Sequence, residues 1–98
     1  MTILFTPTGN RSDLSATTSS SRVALPTSGF TSLRLTNSGS VTAYLKFGDN
    51  TVTASTSTGM DLLPGAVETI RLPPNCTHLA GITASGSTTV GVTPGEGA

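Results

Sequence analysis

One stretch of the chain decides its fold class: Val41-Thr42-Ala43-Tyr44-Leu45-Lys46-Phe47-Gly48. Apolar residues occupy every second position from 41 to 47, and Thr, Tyr and Lys lie between them. This period of two predicts a β-strand with one buried face and one face in water. Thr suits the wet face because its branched Cβ packs on a pleated surface while its hydroxyl stays hydrated.

The residues before this strand repeat the same alternation. From 30 to 36, Leu33 and Leu35 are predicted to point inward, and Arg34 and Thr36 outward. The segment 37–40 between the two strands is Asn-Ser-Gly-Ser, which predicts a tight turn because Asn and Gly accept positive φ at little cost. Residues 30–48 therefore predict a β-hairpin.

The rest of the chain alternates short apolar runs with turn residues. Pro64 and Gly65 predict a type II turn, with Gly65 at the positive-φ position. Further strands are predicted at 2–6, 22–25, 51–54, 60–63, 67–72, 78–84 and 88–93. Gly81 and Gly91 fall inside two of these strands, which fits either a bend of a barrel or a close subunit contact.

The fold class follows from this spacing. No long segment has a helical period, and turn residues recur every 8–12 residues. We expect an all-β fold, a single small β-sandwich or jelly-roll-like domain of seven to nine short antiparallel strands. The prediction divides the chain into an N-terminal strand with a polar Ser/Thr-rich arm at 1–21 and a sandwich at 22–98. Residues 11–21 are open to interpretation as strand, linker or arm.

Charge and composition narrow the function. Five basic and five acidic residues cancel, and the basic residues are spread singly, so we expect no nucleic-acid binding. Thr and Ser account for 32 of the 98 residues, which predicts a hydroxyl-covered surface suited to close packing against other protein. The single cysteine excludes an internal disulfide and a Cys-based zinc site. With no signal peptide and no bilayer-length apolar run, we expect a soluble protein made in a cytoplasm.

The residues offer little for catalysis. Cys76 and His78 could form a nucleophile and base, but residues two apart on a strand lie about 6–7 Å from each other, and no oxyanion motif accompanies them. A small buried thiol and a surface imidazole are the preferred interpretation. We expect no enzyme, and no catalytic, cofactor-binding or metal-binding residues.

The carboxylates support the same expectation. Asp61 and Glu68 flank the Pro64-Gly65 turn and could face each other as an acid–base pair. Asp49 is predicted to bond the backbone of its own turn. The loop 48–51 has too few oxygen ligands for calcium.

A set of motifs recurs together over about residues 33–97. The set is Leu35-Thr36-Asn37, Ala43-Tyr44-Leu45-Lys46-Phe47-Gly48, Leu63-Pro64-Gly65-Ala66-Val67-Glu68-Thr69-Ile70-Arg71-Leu72-Pro73, Thr77-His78-Leu79-Ala80-Gly81-Ile82-Thr83-Ala84 and Val92-Thr93-Pro94-Gly95-Glu96-Gly97. In this pattern the chain resembles small β-sandwich structural proteins of tailed-bacteriophage virions.

That resemblance implies a non-enzymatic protein on the virion capsid surface. Its first implied role is capsid decoration, or cement, in which a homo-oligomer (dimer or trimer) binds the major capsid protein. A head fibre or spike base, a head-to-tail connection and a tail component are the alternatives within the same class. Neither nucleic acid nor membrane is an expected partner.

Two hypotheses from other classes stay open. Jelly rolls often bind sugars on aromatic platforms, and Tyr44 is the one aromatic predicted to point outward, with Phe30 undecided. A carbohydrate-binding module is therefore a remote alternative. A small hydrolase using Cys76 and His78 ranks last.

Overall fold

A computed structural model describes residues 5–25, 31–57, 59–72 and 75–96 of the chain. These residues form nine β-strands and no helix. The strands are β1 (Thr6–Pro7), β2 (Ser12–Ala16), β3 (Ser21–Ala24), β4 (Ser32–Asn37), β5 (Ala43–Gly48), β6 (Met60–Leu62), β7 (Val67–Arg71), β8 (His78–Ile82) and β9 (Thr88–Glu96). The predicted all-β class is confirmed.

The strands make two antiparallel sheets. The first sheet has the order β1-β9-β4-β7, with β2 also pairing β9, and the second has the order β3-β8-β5-β6. Four of these pairings, β2 with β9, β3 with β8, β4 with β7 and β5 with β6, describe one long antiparallel ribbon. The ribbon is rolled so that β9 also pairs β4, and β8 also pairs β5. This rolled ribbon is the jelly-roll arrangement of a β-sandwich.

The core lies between the two sheets and consists of alternate residues from each strand. Leu33 and Leu35 point inward from β4 while Arg34 is exposed, as predicted. Ala43 and Leu45 do the same on β5. The other fully or almost fully buried apolar residues are Leu14, Ala16, Leu25, Leu62, Leu79, Val90 and Val92. Side chains of this kind drive the sheets together because each removes apolar surface from water.

Asn37 is the one large polar side chain among the fully buried core residues, and its hydrogen bonds are complete. Its Nδ2 donates to the carbonyl oxygens of Val41 at 2.9 Å and Leu62 at 2.8 Å. Its Oδ1 accepts from the backbone N–H of Gly39 at 3.1 Å and from the hydroxyl of Thr88. Its backbone bonds Gly65 and Ala66 across the β6–β7 turn. The side chain therefore joins strand ends from both sheets.

The predicted β-hairpin over residues 30–48 is wrong: β4 pairs with β7 and β9 in the first sheet, β5 pairs with β6 and β8 in the second, and residues 37–40 cross from one sheet to the other. The Asn37 network also corrects the predicted conformation of this turn. Neither Asn37 nor Gly39 has a positive φ. Gly39 is instead required by space, because a Cβ there would overlap the side chain of Thr88. The Pro64-Gly65 turn, by contrast, is confirmed: Gly65 has φ 76° and the N–H of Ala66 donates to the carbonyl of Leu63 at 3.0 Å.

The open question about residues 11–21 is decided for most of that segment. Strand β2 pairs with β9 from Ser12 to Ala16 and buries Leu14 and Ala16 in the core. The segment is thus part of the sandwich and not an arm. Between β1 and β2 the pairing is interrupted by a bulge, in which the four residues 8–11 oppose the two residues 93–94.

The strand predicted at 51–54 is wrong. This segment forms an irregular loop that lies over the outer face of the second sheet, where Val52 and Ala54 bury Ala80 and pack against Ile82. Arg22 donates to the carbonyl of Val52 at 3.1 Å and holds the loop there. Turn residues on both sides of the segment made it look like a short strand.

Some predicted features lie outside the described residues. They are most of the strand 2–6, the turn at 26–29, Phe30, the strand end at 73–74 and the last two residues.

Replacing Asn37 with Asp tests the buried network. The Asn37→Asp variant keeps the shape but cannot donate to the two carbonyls when ionised, so we expect a loss of about 3 kcal/mol or more at pH 7. Burial and the facing carbonyls raise the folded pKa of the introduced carboxyl above its unfolded value of about 3.9. Stability is then greatest below the unfolded pKa and is lost as the pH rises through the folded pKa.

Urea unfolding between pH 3 and pH 8 measures this, with Asn50→Asp in an exposed turn as the matched control. A variant as stable as the control at pH 7 would contradict the role of Asn37.

Two glycines in strands provide a second test. A Cβ at Gly81 would lie 2.6 Å from Cδ2 of the buried Leu14, and one at Gly91 would lie 2.8 Å from Cδ of the exposed Arg11. We expect Gly81→Ala to lose about 1–3 kcal/mol through overpacking, and Gly91→Ala to change by less than about 0.5 kcal/mol because Arg11 moves aside. Thermal unfolding of both variants checks this, and equal losses would refute the packing described here.

Candidate functional site

The two outer faces of the sandwich differ. The outer face of the second sheet is partly covered by the chain's own 51–54 loop, whereas the described cover on the first sheet is limited to Phe5 over Gly95 and Arg11 over Gly91. We call the outer face of the first sheet the open face. It consists of Asp13, Ser15, Arg34, Thr36, Val67, Thr69, Arg71, Thr89, Gly91 and Thr93.

A shallow groove of about 370 Å³ crosses the open face. Its floor is at Gly91, which pairs with Thr36 of β4 and Asp13 of β2. Because Gly91 has no side chain, the side chain of Arg11 lies directly over the sheet there. Thr89 and Thr93, two residues to either side, supply hydroxyls that both donate and accept hydrogen bonds.

The close approaches at the two in-strand glycines come from the chain itself. Gly91 lies beneath Arg11 of the bulge, and Gly81 faces Leu14 and Leu45 in the core. The sequence left a barrel bend and a subunit contact as alternatives, and intrachain packing accounts for both positions.

The arginines on the open face have different kinds of partner. Arg11 forms an ion pair with Asp13, Nε to Oδ1 at 2.9 Å, between two largely exposed side chains. Arg34 lies with its guanidinium carbon 6.0 Å from the centroid of the Phe5 ring, a cation–π geometry. Phe5 itself sits over Gly95, whose missing side chain makes room for the ring.

Strand β7 is one edge of the first sheet, and half of its backbone groups face outward. The N–H of Leu72 donates to Thr31 and that of Asn37 to Ala66, so the even-numbered residues of this segment bond towards β4. In an antiparallel pair the intervening residues bond the other way. Val67, Thr69 and Arg71 therefore present N–H and C=O groups at the edge. Val67, at 49% exposure, and Leu63, at 58%, are the large apolar side chains exposed beside it.

A second hollow, of about 290 Å³, lies at the opposite sheet. Tyr44 lines it together with Ser40, Thr42, Pro64 and Ser85. Tyr44 is half-buried and does point outward, as predicted.

Cys76 and His78 do not show the geometry of a catalytic pair. Cys76 is a half-buried free thiol. Nδ1 of His78 is hydrogen-bonded at 2.8 Å to the hydroxyl of Thr77, which occupies one of the two imidazole nitrogens. The ring also interacts electrostatically with Asp49, across the turn.

Asp49 bonds within its own turn, as predicted. Its carboxylate accepts hydrogen bonds from the hydroxyl of Thr51 at 2.5 Å and from the backbone N–H of Thr51 at 2.8 Å. These two bonds, with a smaller contribution from His78, lower the pKa of Asp49 below its ordinary value. The Asp49 carboxylate is exposed, and its hydrogen bonds stabilise the turn.

The predicted pairing of Asp61 with Glu68 is wrong. Asp61 points outward from β6 of the second sheet, opposite Tyr44, and Glu68 lies on β7 of the first sheet, opposite Leu35. Across the described residues, no group of three or more His, Cys, Asp or Glu side chains is placed to hold a metal ion.

Comparison of the chain with protein-family models, curated proteins and solved structures finds no match. The described part of the chain contains no helix of the length and apolarity needed to cross a bilayer. The resemblance to virion proteins therefore stays a prediction.

Sequence reasoning assigned the outward direction of Arg34 and Thr36 but missed the open face as a unit. The alternation Thr89, Gly91, Thr93 signals the same outward side of β9. Only the pairing of β9 with β4 brings this side next to Arg34 and Thr36, and no local sequence pattern predicts that pairing.

Proposed function

We propose that the chain is a non-enzymatic structural protein of a tailed-phage virion, and that it decorates the capsid by binding the major shell protein through its open face. The observation that carries the proposal is the difference between the two outer faces. One is partly covered by the chain's own loop, and the other offers a groove, hydroxyls and an adjacent strand edge.

The chemistry of the open face supports a protein partner. Hydroxyls of Thr36, Thr89 and Thr93 bond either donors or acceptors, so they adapt to a partner's backbone. Edge strands bind other chains by adding a strand, and main-chain hydrogen bonds then supply the affinity. A decoration protein repeated over a shell gains further from multivalency if its copies are joined, which is why we expect a homo-oligomer.

The same surface suits the other virion positions. A fibre or spike base, a head-to-tail connector and a tail component all bind a neighbouring virion protein through one face. Capsid decoration is preferred because a compact, neutral domain can lie beside copies of itself without charge repulsion.

Cosedimentation with phage capsids tests the proposal. We expect saturable binding at a fixed ratio to the major shell protein. Thr36→Phe, which fills the groove without adding charge, should weaken binding at least about tenfold, or about 1.4 kcal/mol. Thr53→Phe, in the exposed loop over the other sheet, should bind as the unchanged chain does.

The measurement needs capsids of a phage that encodes the chain, assembled without it. Absence of binding to both filled and empty capsids would remove capsid decoration and favour a tail or connector position. Equal binding of the two variants would place the interface elsewhere on the domain.

A carbohydrate-binding module is the second candidate, favoured by the hollow beside Tyr44. Sugar sites place a ring face against the ligand, and hydroxyls of Ser40 and Ser85 line the same hollow. Under the capsid proposal we expect no binding on a glycan array. Binding that is lost in Tyr44→Ala and kept in Tyr44→Phe would favour the sugar site instead.

A further inference from the structure

Arg34 occupies the middle of the open face without a carboxylate partner among the described residues. Its neighbours across the strands are Thr69 and Thr93, and Thr36 follows it on the same face of β4. The ion pair found in the described chain joins Arg11 and Asp13. A guanidinium surrounded by hydroxyls is a receptor for an anion, because it can donate two parallel hydrogen bonds to a carboxylate.

A second arginine lies beside it on the same face. Arg71 is two residues from Thr69, the residue opposite Arg34, so the two arginines are diagonal neighbours on adjacent strands. Such neighbours have side chains that start roughly 7–8 Å apart, and two like charges at that separation repel each other. A bound carboxylate would relieve this repulsion.

The open face is basic although the whole chain is neutral. It holds Arg34, Arg71 and the Arg11–Asp13 ion pair. The other four carboxylates lie elsewhere: Asp49 in its turn, Asp61 on the second sheet, Glu68 on the opposite side of β7 and Glu96 at the end of β9. Charge complementarity therefore favours an acidic partner.

Phe5 positions Arg34. The ring is half-buried over Gly95 and lies under the guanidinium at 6.0 Å. Packing of this kind holds the positive charge of Arg34 over the open face.

We propose that the open face binds an extended acidic segment of a partner protein, added as a strand to the edge of β7. An added strand places every second side chain on the open face, directly opposite Thr69 and Arg71. A Glu at these positions reaches Arg71 at once. Arg34 lies two strand spacings or about 10 Å away and packs on Phe5 over β9, so it contributes through the positive potential of the face and not through a direct contact.

The partner is thus recognised by acidic residues at alternate positions of a β-strand. That this partner is the capsid shell rests on the proposed function, whereas the recognition chemistry does not. The free N–H and C=O groups of Val67, Thr69 and Arg71 supply backbone bonds, and the arginines supply selectivity.

A pair of synthetic peptides tests the inference. The first is acetyl-Thr-Glu-Val-Glu-Val-Glu-Thr-amide, and the second has Gln in place of each Glu. Titration into the ¹⁵N-labelled full chain should shift the amide resonances of β7 and the Nε of Arg71 for the Glu peptide. The Gln peptide should bind at least about tenfold more weakly, and added salt should weaken the Glu peptide.

Variants assign the effect to particular residues. Arg71→Gln should weaken binding of the Glu peptide at least about tenfold, and Arg71→Lys, which keeps the charge but cannot donate two parallel hydrogen bonds, should have an intermediate effect. Arg34→Gln should have a smaller effect, through the lost charge alone. Lys46→Gln, on the outer face of the other sheet, is the matched control and should bind as the unchanged chain does. Thermal unfolding of each variant confirms that it is folded.

The outcomes separate the two proposals. Equal binding of the Glu and Gln peptides, shifts centred on Lys46, or unchanged peptide binding by Arg71→Gln would overturn the inference. Loss of Glu-peptide binding by Arg71→Gln would support it, and capsid binding that survives in the same variant would leave capsid decoration standing with a different contact to the shell. Binding of the Glu peptide by a chain that ignores capsids would support the inference and remove capsid decoration.

Discussion

The buried amide of Asn37 is the contact on which the sandwich depends. A jelly roll needs its ribbon to fold back at one end, where strands leave one sheet and enter the other. At that end Asn37 bonds the carbonyls of Val41 and Leu62, the N–H of Gly39 and the hydroxyl of Thr88, which are drawn from both sheets. Apolar packing holds the sheets together but is not directional. The amide network fixes which strand ends meet, because any other arrangement would leave buried polar groups unpaired.

The fixed strand order also explains why the two outer faces of the sandwich differ. The connection between β5 and β6 is long enough to lie across the second sheet, and Val52 and Ala54 close it over Ala80. Arg34, Thr69, Arg71 and Thr89 stay exposed on the outer face of the first sheet. A neutral chain can thereby carry a basic face, because its carboxylates are placed elsewhere. Net charge alone does not describe how such a domain meets a partner.

The sequence predicts this fold where the alternation is strong and fails where other forces decide. The alternation around Leu33, Leu35 and Leu45 predicts their strands, and Pro64-Gly65 predicts a turn. Strand β2 is hidden because only Leu14 and Ala16 mark its buried side, within a run that reads as low complexity. Asn37 looks like a turn residue until its partners, up to 51 positions away, are known. The open face has the same origin: its residues are visible singly, and only long-range pairing unites them.

The two edges of the first sheet are unlike, and this limits how many neighbours one copy can accept. At the β1–β2 edge, Pro7 lacks an N–H and the bulge at 8–11 breaks the ladder. At the β7 edge the ladder is regular. Strand addition can therefore occur once, and a copy bound in this way offers no equivalent edge to the next. The first sheet has a valence of one in this mode, so strand addition at β7 can extend this sheet once but cannot propagate it into a fibre.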